Sequence, residues 1–300
     1  MKEIVVISGK GGVGKTTFTA SLAYLLSSNN TRLVVADTDV DAPNLALLLK
    51  GEKTGEIGVK ASEKAFIDYT KCDGCGMCLK YCKENAILWN SKENRPYIFE
   101  VFCEGCGVCS VVCPRKAIRI ELVENGSIVI SRSTYGFLVI TGQLKIGEAG
   151  SGKIVMEVKL KANEIAKENK ADVLLVDGPP GAGCPAIAAV SGAHYAILIT
   201  EPTPAALSDL ERIYEIVQHF QAPSGLVINK ADLEENFKKE IYKFAEREDI
   251  QILGEIPLDN AIPHSLAQGI PVVEYAPNSP ASKSIKKIAE NVLRTLLGEY

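Results

Sequence analysis

Short runs of apolar, mostly β-branched residues recur along the chain and alternate with stretches of helical periodicity. The apolar runs lie at 3–8, 32–37, 172–178, 195–200 and 225–229. Amphipathic helices are predicted at 16–28, 154–169, 205–220, 235–247 and 281–297. Continuous apolar strands that alternate with helices are typical of a parallel sheet buried on both faces. The pattern therefore predicts an α/β fold with a mostly parallel sheet.

One segment, 66–121, interrupts this alternation. It is rich in loops and cysteines, and its two halves repeat with a period of about 31 residues. Such a repeat indicates a duplicated module inserted into a parent domain, which would comprise 1–65 and 122–300. Residues 127–146 are predicted to form two antiparallel strands that return to this parent.

Composition narrows the class of protein. The chain has 46% hydrophobic and 23% charged residues and a net charge of −4, which is ordinary for a globular protein and lacks the basic character of nucleic-acid binders. No apolar run reaches the roughly 18 residues of a membrane span, and no signal peptide precedes the first strand. We therefore expect a cytoplasmic protein with no nucleic-acid partner and no stable membrane span.

The loop Gly9–Thr16 reads GKGGVGKT and fits the phosphate-binding pattern G-x-x-x-x-G-K-S/T, directly after a predicted strand and before a predicted helix. Glycines allow backbone N–H groups to surround phosphates, Lys15 can reach the β and γ oxygens, and Thr16 can bind Mg²⁺. The predicted nucleotide-binding residues are Gly11, Gly12, Val13, Gly14, Lys15, Thr16 and Thr17.

With its additional Lys10, this loop resembles the deviant Walker A motif of the MinD/ParA/Mrp family of ATPases, to which nitrogenase iron protein is related. ADTDVDAPNL at 36–45 is similar to the family's switch I, and VLLVDGPPGAG at 173–183 to its Walker B and switch II. The resemblance implies a doubly wound P-loop NTPase fold, Mg²⁺-dependent hydrolysis of ATP to ADP, and a nucleotide-dependent homodimer.

The same resemblance implies roles for single residues. Lys10 would cross to the partner's phosphates and, with Lys15, assist catalysis. Asp39 would orient the attacking water, and Asp177 would hold Mg²⁺ through water. The roles of Asp37 and Asp41 are left open, and a simpler alternative is that the acidic residues only cap helices.

Asn229–Asp232 reads NKAD, which fits the guanine-reading motif of GTPases. In the MinD group an asparagine at this place contacts adenine. We therefore expect ATP, with Asn229 at the base, and GTP is the alternative.

Eight of the nine cysteines form two runs of the spacing C-x₂-C-x₂-C-x₃-C, which resembles that of bacterial ferredoxins with two [4Fe–4S] clusters. In a reducing cytosol such cysteines are more often metal ligands than disulfides. The resemblance implies a small α+β ferredoxin-like domain in which each cluster takes three ligands from one run and the fourth from the other. One ligand set would be Cys72, Cys75, Cys78 and Cys113, and the other Cys103, Cys106, Cys109 and Cys82. Four-cysteine zinc sites are the alternative.

The insert lies between switch I and switch II in sequence, the two segments that sense the γ-phosphate in this family. The leading hypothesis is therefore a nucleotide switch that gates electron delivery through two clusters to an unidentified redox partner. A second hypothesis is an iron–sulfur cluster carrier or assembly ATPase, as in the Mrp branch, which would require a cluster-acceptor protein. In the Mrp branch, the proteins that resemble scaffolds carry a C-x₂-C pair after switch II. This chain has only Cys184 there. A third, a MinD/ParA-type positioning ATPase, leaves eight cysteines unexplained.

Overall fold

The computed structural model describes residues 1–148 and 150–297. The described chain forms two compact units. The large unit comprises Met1–Ile57, Ile128–Gln143 and the described part of Ser151–Tyr300. The small unit comprises Gly58–Ser127 and the described part of Leu144–Gly150. The predicted insert at 66–121 lies within the small unit.

Strands and helices alternate through most of the chain. The strands are β1 (Lys2–Ser8), β2 (Leu33–Asp37), β3 (Gly51–Ile67), β4 (Ile87–Asn90), β5 (Arg95–Ile98), β6 (Ile118–Ser133), β7 (Leu138–Leu144), β8 (Val173–Pro180), β9 (Tyr195–Thr200), β10 (Ser224–Asn229) and β11 (Gln251–Ile256). The helices are α1 (Lys15–Ser28), α2 (Leu45–Leu48), α3 (Met77–Tyr81), α4 (Val108–Val112), α5 (Ser151–Glu168), α6 (Cys184–Val190), α7 (Pro204–His219), α8 (Glu235–Arg247), α9 (Ala261–Ala267), α10 (Val272–Tyr275) and α11 (Pro280–Leu297). Among the described residues, no helix combines the length and the apolar character that crossing a bilayer requires.

The main sheet has the strand order β11-β10-β9-β1-β8-β2-β7-β6-β3. Every pairing from β11 to β7 is parallel. The central strands β1, β2, β8 and β9 are buried almost throughout, as expected for strands covered on both faces. The predicted α/β fold with a mostly parallel sheet is confirmed.

Alternate residues of β1 enter different layers of the core. Ile4 and Val6 pack in one cluster with Phe18 of α1 and Ile285 of α11. The intervening residues of β1 point to the opposite face of the sheet, since side chains alternate along a strand. There β1 contacts α6 and α7. Helices therefore cover both faces, which is the doubly wound arrangement.

At one edge of the sheet, β6 is longer than predicted and β3 was not predicted. β6 and β7 are adjacent and joined by a tight turn in which the Ser133 N–H donates to the Phe137 carbonyl at 2.9 Å, as two antiparallel strands require. The predicted pair at 127–146 is therefore present, although β6 already begins at Ile118. The 17-residue β3 was not predicted, because its sequence GEKTGEIGVKASEKAFI is polar and lacks regular alternation. Charged residues suit its position at the sheet edge.

A buried charge pair ties α5 to β1 and α6. The ammonium of Lys159 lies 2.7 Å from Oε1 of Glu3, and both side chains are 5% exposed. The same ammonium donates to the carbonyls of Ala189 (2.7 Å) and Ser191 (2.6 Å), at the carboxyl end of α6. Asn163 donates to the other oxygen of Glu3 at 3.0 Å. The ammonium and Oε2 of Glu3 are therefore hydrogen-bonded, while Oε1 of Glu3 has only the ion pair with Lys159.

Lys159→Met should lower the free energy of unfolding by roughly 3 kcal/mol, because it leaves the Glu3 carboxylate buried without its partner. Urea denaturation followed by far-UV circular dichroism measures the change. The matched control is Lys161→Met, whose lysine pairs with an exposed Glu164, and it should cost less than about 1 kcal/mol. Equal midpoints for the two variants would contradict this account.

Candidate functional site

The carboxyl ends of the parallel strands meet at one edge of the sheet, where ligand sites of open α/β sheets lie. The phosphate loop follows β1, and Asp37 and Asp177 pair across β2 and β8 in the sheet register. Glu201 follows β9, and Asn229 ends β10. The fold thus brings together residues that are up to about 220 positions apart in sequence.

The phosphate loop leads directly into α1. Gly12 and Gly14 have φ angles of 80° and 93°, in the left-handed region that glycine adopts without strain. A Cβ at Gly14 would also lie 2.2 Å from Nδ2 of Asn229, so the Asn229 side chain would have to move. α1 begins at Lys15, so that its free N–H groups and the positive end of its dipole face the loop. The loop is therefore built to bind an anion.

Asp177 is completely buried at the centre of this edge. Its two carboxylate oxygens accept hydrogen bonds from the hydroxyls of Thr16 (2.7 Å) and Thr19 (2.8 Å). The ammonium of Lys15 lies 3.5 Å away. The structure thus joins Lys15, Thr16 and Asp177, which the sequence placed in two separate motifs. Hydroxyl and carboxylate oxygens are the ligand types that Mg²⁺ prefers.

Asp37 organises the loop after β2. Its carboxylate accepts N–H groups from Asp39 (3.2 Å), Asn44 (3.1 Å) and Leu45 (3.0 Å), at the start of α2. Burial, reinforced by the negative charge of Asp177, raises the pKa of Asp37 to about 7. Asp37 therefore shapes the loop as a helix-capping acid.

Asp39 faces the open side of the site. Its side chain is half-buried and lines a cavity together with Lys15. Burial raises the pKa of Asp39, and the charge of Lys15 opposes this effect. Thr38 fastens the same loop to β8, because its N–H and its hydroxyl donate to the Asp177 carbonyl at 2.9 and 2.8 Å.

The signature lysine of the loop pairs with an acid that sequence reasoning missed. Lys10 lies 3.0 Å from Oε1 of Glu201, while Lys230 lies 2.6 Å from Oε2 and also donates to the Gly12 carbonyl at 3.2 Å. Burial by itself would raise the pKa of Glu201, but the hydrogen bonds from the two lysines hold it below its ordinary value. The only signal in the sequence was an acid directly after a buried parallel strand.

A cavity of about 640 Å³ extends from the phosphate loop to an apolar wall, a size typical of small-molecule sites. The wall includes Ile256, Leu258 and Ile262. Asn229 also lines it and donates through Nδ2 to the Val13 carbonyl at 2.7 Å, while its buried Oδ1 has no partner among the described residues. Asp232 of the NKAD motif does not line the cavity, and its Oδ1 accepts the Leu258 N–H at 2.7 Å.

The small unit sorts the eight cysteines into two groups of four. One small cavity is lined by Cys72, Cys75, Cys78 and Cys113. The other is lined by Cys82, Cys103, Cys106 and Cys109. Each group therefore takes three cysteines from one run and the fourth from the other. Cys184 belongs to the large unit and lies at the start of α6.

The two cavities have similar local structure. α3 and α4 each begin after a left-handed glycine, Gly76 or Gly107. Another left-handed glycine, Gly105, packs so closely on the backbone that a Cβ would lie 2.1 Å from the Glu63 carbonyl oxygen. Backbone N–H groups also reach the sulfurs, from Ala65 to Cys103 at 3.4 Å and from Ala117 to Cys113 at 3.3 Å.

The buried thiols influence one another within each group. Burial raises the pKa of Cys109 to about 11, and the charges of Cys103 and Cys106 add to the effect. Burial likewise raises the pKa of Cys78, with contributions from the thiols of its own cavity. Metal binding at either cavity would therefore release protons.

Comparison with known proteins gives a consistent result. Residues 4–272 match the CobQ/CobB/MinD/ParA nucleotide binding domain. The chain is 37% identical to the uncharacterized protein MJ0578 of Methanocaldococcus jannaschii, over 97% of this chain and 96% of that one. It is 24% identical to the iron-sulfur cluster carrier protein of Pyrococcus abyssi, over 98% of this chain and 86% of that one.

The fold is similar to that of the septum site-determining protein MinD complexed with Mg-ADP from Pyrococcus horikoshii. The TM-score is 0.61 at 21% sequence identity, and the match covers 97% of this chain and 95% of that one. The family match over most of the chain agrees with this likeness. The phosphate loop that follows β1 agrees with it as well. The chain therefore belongs to the CobQ/CobB/MinD/ParA family of nucleotide-binding P-loop ATPases.

Proposed function

We propose that this protein is a Mg²⁺-dependent ATPase whose nucleotide state gates electron delivery through two [4Fe–4S] clusters to a partner protein. The observation that carries the proposal is the mixed grouping of the cysteines, three from one run and one from the other at each cavity. This grouping is the ligand pattern of two-cluster ferredoxins. When bound, each cluster would supply a site that accepts and releases one electron.

The cysteine cavities suit a cluster better than a single metal ion. Within 1–148 and 150–297, no three His, Cys, Asp or Glu side chains are placed to hold one ion. A zinc site needs four sulfurs at about 2.3 Å from one centre, so its sulfurs must converge closely. The left-handed glycines and the N–H groups aimed at Cys103 and Cys113 also support a cluster, because amides near sulfur stabilise its negative charge.

The nucleotide site supports ATP hydrolysis. Lys15 would leave Asp177 to bind the phosphates, and Thr16 with Asp177 would hold Mg²⁺. Asp39 faces the cavity and would position the attacking water. The unpaired Oδ1 of Asn229 can accept a hydrogen bond from the amino group of adenine. Asp232, which would read guanine in a GTPase, is already bonded to Leu258, and this supports ATP over GTP.

The Lys10–Glu201 pair supports a nucleotide-dependent homodimer. Lys10 is 37% exposed and is held by an acid of its own chain. To reach the phosphates of a partner subunit it must exchange the carboxylate of Glu201 for a phosphate. Lys230 remains to neutralise Glu201, so the acid would not be left buried without a partner.

The position of the cysteine module in the chain supports the gating. In sequence, the module lies between the loop of Asp39 and the strand of Asp177, so the chain passes through it between the two segments that would sense the γ-phosphate. Eight free thiols at ligand spacing also fit a reducing compartment, which supports a cytoplasmic location.

A cluster carrier is the second candidate, because relatives include the iron-sulfur cluster carrier protein of Pyrococcus abyssi. The absence of a second cysteine near Cys184, in the segment after β8, weakens this candidate. Cluster transfer from the purified protein to an apo-ferredoxin would favour it.

Paired cysteine variants test the ligand sets. Anaerobically purified protein should hold about eight iron atoms per chain and absorb near 400 nm. Cys72→Ala combined with Cys113→Ala should leave one intact [4Fe–4S] cluster, because both residues serve the same cavity. Cys103→Ala combined with Cys113→Ala should leave none intact, because each cavity loses a ligand. Electron paramagnetic resonance of the reduced protein counts the intact clusters.

The matched control for these variants is Cys184→Ala, which should retain both clusters. If the Cys103/Cys113 pair leaves one cluster intact and the Cys72/Cys113 pair leaves none, the ligands come from single runs and the mixed grouping is wrong.

Variants of the nucleotide site separate dimer formation from hydrolysis. Lys10→Ala should bind ATP but form no dimer in light scattering, because no other group can replace the crossing lysine. Asp39→Ala should form the ATP dimer and hydrolyse ATP roughly two orders of magnitude more slowly. The exposed Lys167→Ala is the control and should behave like the wild type. A dimer that forms with GTP as readily as with ATP would contradict the assignment of adenine as the base that Asn229 contacts.

Anaerobic voltammetry tests the gating. Protein with a nonhydrolysable ATP analogue should differ from protein with ADP or without nucleotide, either in a cluster potential or in its rate of reduction. Lys15→Ala should remove this difference, because the phosphates lose their main cationic partner. Identical potentials and rates in all three wild-type samples would rule out the gating.

A further inference from the structure

A lysine is buried in the small unit. Lys64 of β3 is 2% exposed, donates to the Glu100 carbonyl at 2.9 Å and lies 3.2 Å from Oε2 of Glu148. Lysine is rarely buried to this degree. A buried ion pair is weak support for stability, because apolar residues of similar volume often stabilise as well. The Lys64–Glu148 pair is therefore better explained by the effect of the Lys64 charge on neighbouring groups.

The ammonium of Lys64 lies beside one of the two cysteine cavities. The Glu100 carbonyl that it contacts also accepts the N–H of Cys103 at 3.1 Å. The ammonium is therefore within about 6 Å of the Cys103 nitrogen. The next residue of β3, Ala65, lines the same cavity and donates its N–H to the Cys103 sulfur. A positive charge thus lies next to the cavity of Cys82, Cys103, Cys106 and Cys109.

The internal repeat provides a comparison at the other cavity. The position equivalent to Lys64, about 31 residues later, is Arg95, and the position equivalent to Ala65 is Pro96, which lines that other cavity. The Arg95 side chain is 38% exposed, pairs with Glu93 at 2.7 Å and stacks on the ring of Tyr69. Each cation has an acid beside it, but the charge of Arg95 is also screened by water, whereas that of Lys64 is not exposed to solvent.

The remaining charged residues that line the cavities are exposed. Glu84 and Glu104 line the cavity of Cys103, and Asp73 and Arg115 line the other, where they pair at 2.7 Å. All four are open to solvent, and exposed charges interact weakly with a site that water also reaches. Among the described residues, Lys64 is therefore the principal buried charge that distinguishes the two cavities, and its partner Glu148 is 20% exposed.

We infer that Lys64 raises the reduction potential of the cluster at Cys82, Cys103, Cys106 and Cys109 above that of the other cluster, and that Glu148 limits this effect. The inference rests on the proposed function. An added electron increases the negative charge of a thiolate-bound cluster, and a nearby buried cation stabilises that charge in a medium of low dielectric constant. An electron held by the protein therefore resides at the Cys103 cavity, and the other cluster is the stronger reductant.

Two substitutions with opposite expected effects test the inference. In redox titrations of the cluster-loaded full chain, followed by electron paramagnetic resonance, Lys64→Met should lower the potential of one cluster and Glu148→Gln should raise the potential of the same cluster. The other cluster should keep its potential in both variants. A purely structural role would not produce shifts of opposite sign. Lys64→Arg should remain near the wild type, because it keeps the charge.

Arg95→Met is the matched control and should shift neither potential. Unchanged potentials in cluster-loaded Lys64→Met, or shifts of the same sign in Lys64→Met and Glu148→Gln, would overturn the inference while leaving the proposed function intact. If Lys64→Met fails to retain its clusters, the Glu148→Gln variant tests the inference by itself. An unchanged or lowered potential of the Cys103 cluster in Glu148→Gln then overturns the inference. A wild-type protein without clusters would overturn the proposed function itself.

Discussion

The buried carboxylate of Asp177 is the interaction on which the nucleotide site depends. A negative charge without contact to water must be compensated by its neighbours, and here the hydroxyls of Thr16 and Thr19 and the ammonium of Lys15 provide this. All three come from the first turns of α1, so the helix, the phosphate loop and β8 are held in one arrangement. A ligand that draws Lys15 or Thr16 away must bring positive charge of its own, as a divalent cation does.

The small unit depends on a different principle. Among its described residues, the hydrophobic cluster contains seven buried residues, and three of them are Cys78, Cys103 and Cys109. A unit of this size buries little apolar surface, and such domains commonly rely on metals or disulfides. Ligands that bridge four cysteines at each cavity would join α3 and α4 to the strands around them. In this unit, cofactor binding and folding are expected to be coupled.

Buried lysines occur at both sites, for a related physical reason. In the proposed function, the phosphates of a nucleotide and an added electron would each bring negative charge close to a buried lysine. Lys15 at the phosphate loop and Lys64 beside Cys103 place a cation there in advance, and each is paired with an acid, Asp177 or Glu148. In that proposal, the acid would neutralise the cation until the new negative charge arrives. Lys159 and Glu3 show the same pairing between α5 and β1, where it serves packing.

Much of this protein could be predicted from its sequence, because the relevant signals are local. Continuous apolar runs determined the parallel sheet, fixed glycine spacing determined the phosphate loop, and a repeat of about 31 residues marked the cysteine module. Other features depend on residues distant in sequence. The polar β3, the Glu201 contact to Lys10, the bond that diverts Asp232 from the cavity and the pairing of Lys64 with Glu148 have no local signature. Only the tertiary structure decided them, because such contacts form when folding brings separate segments of the chain together.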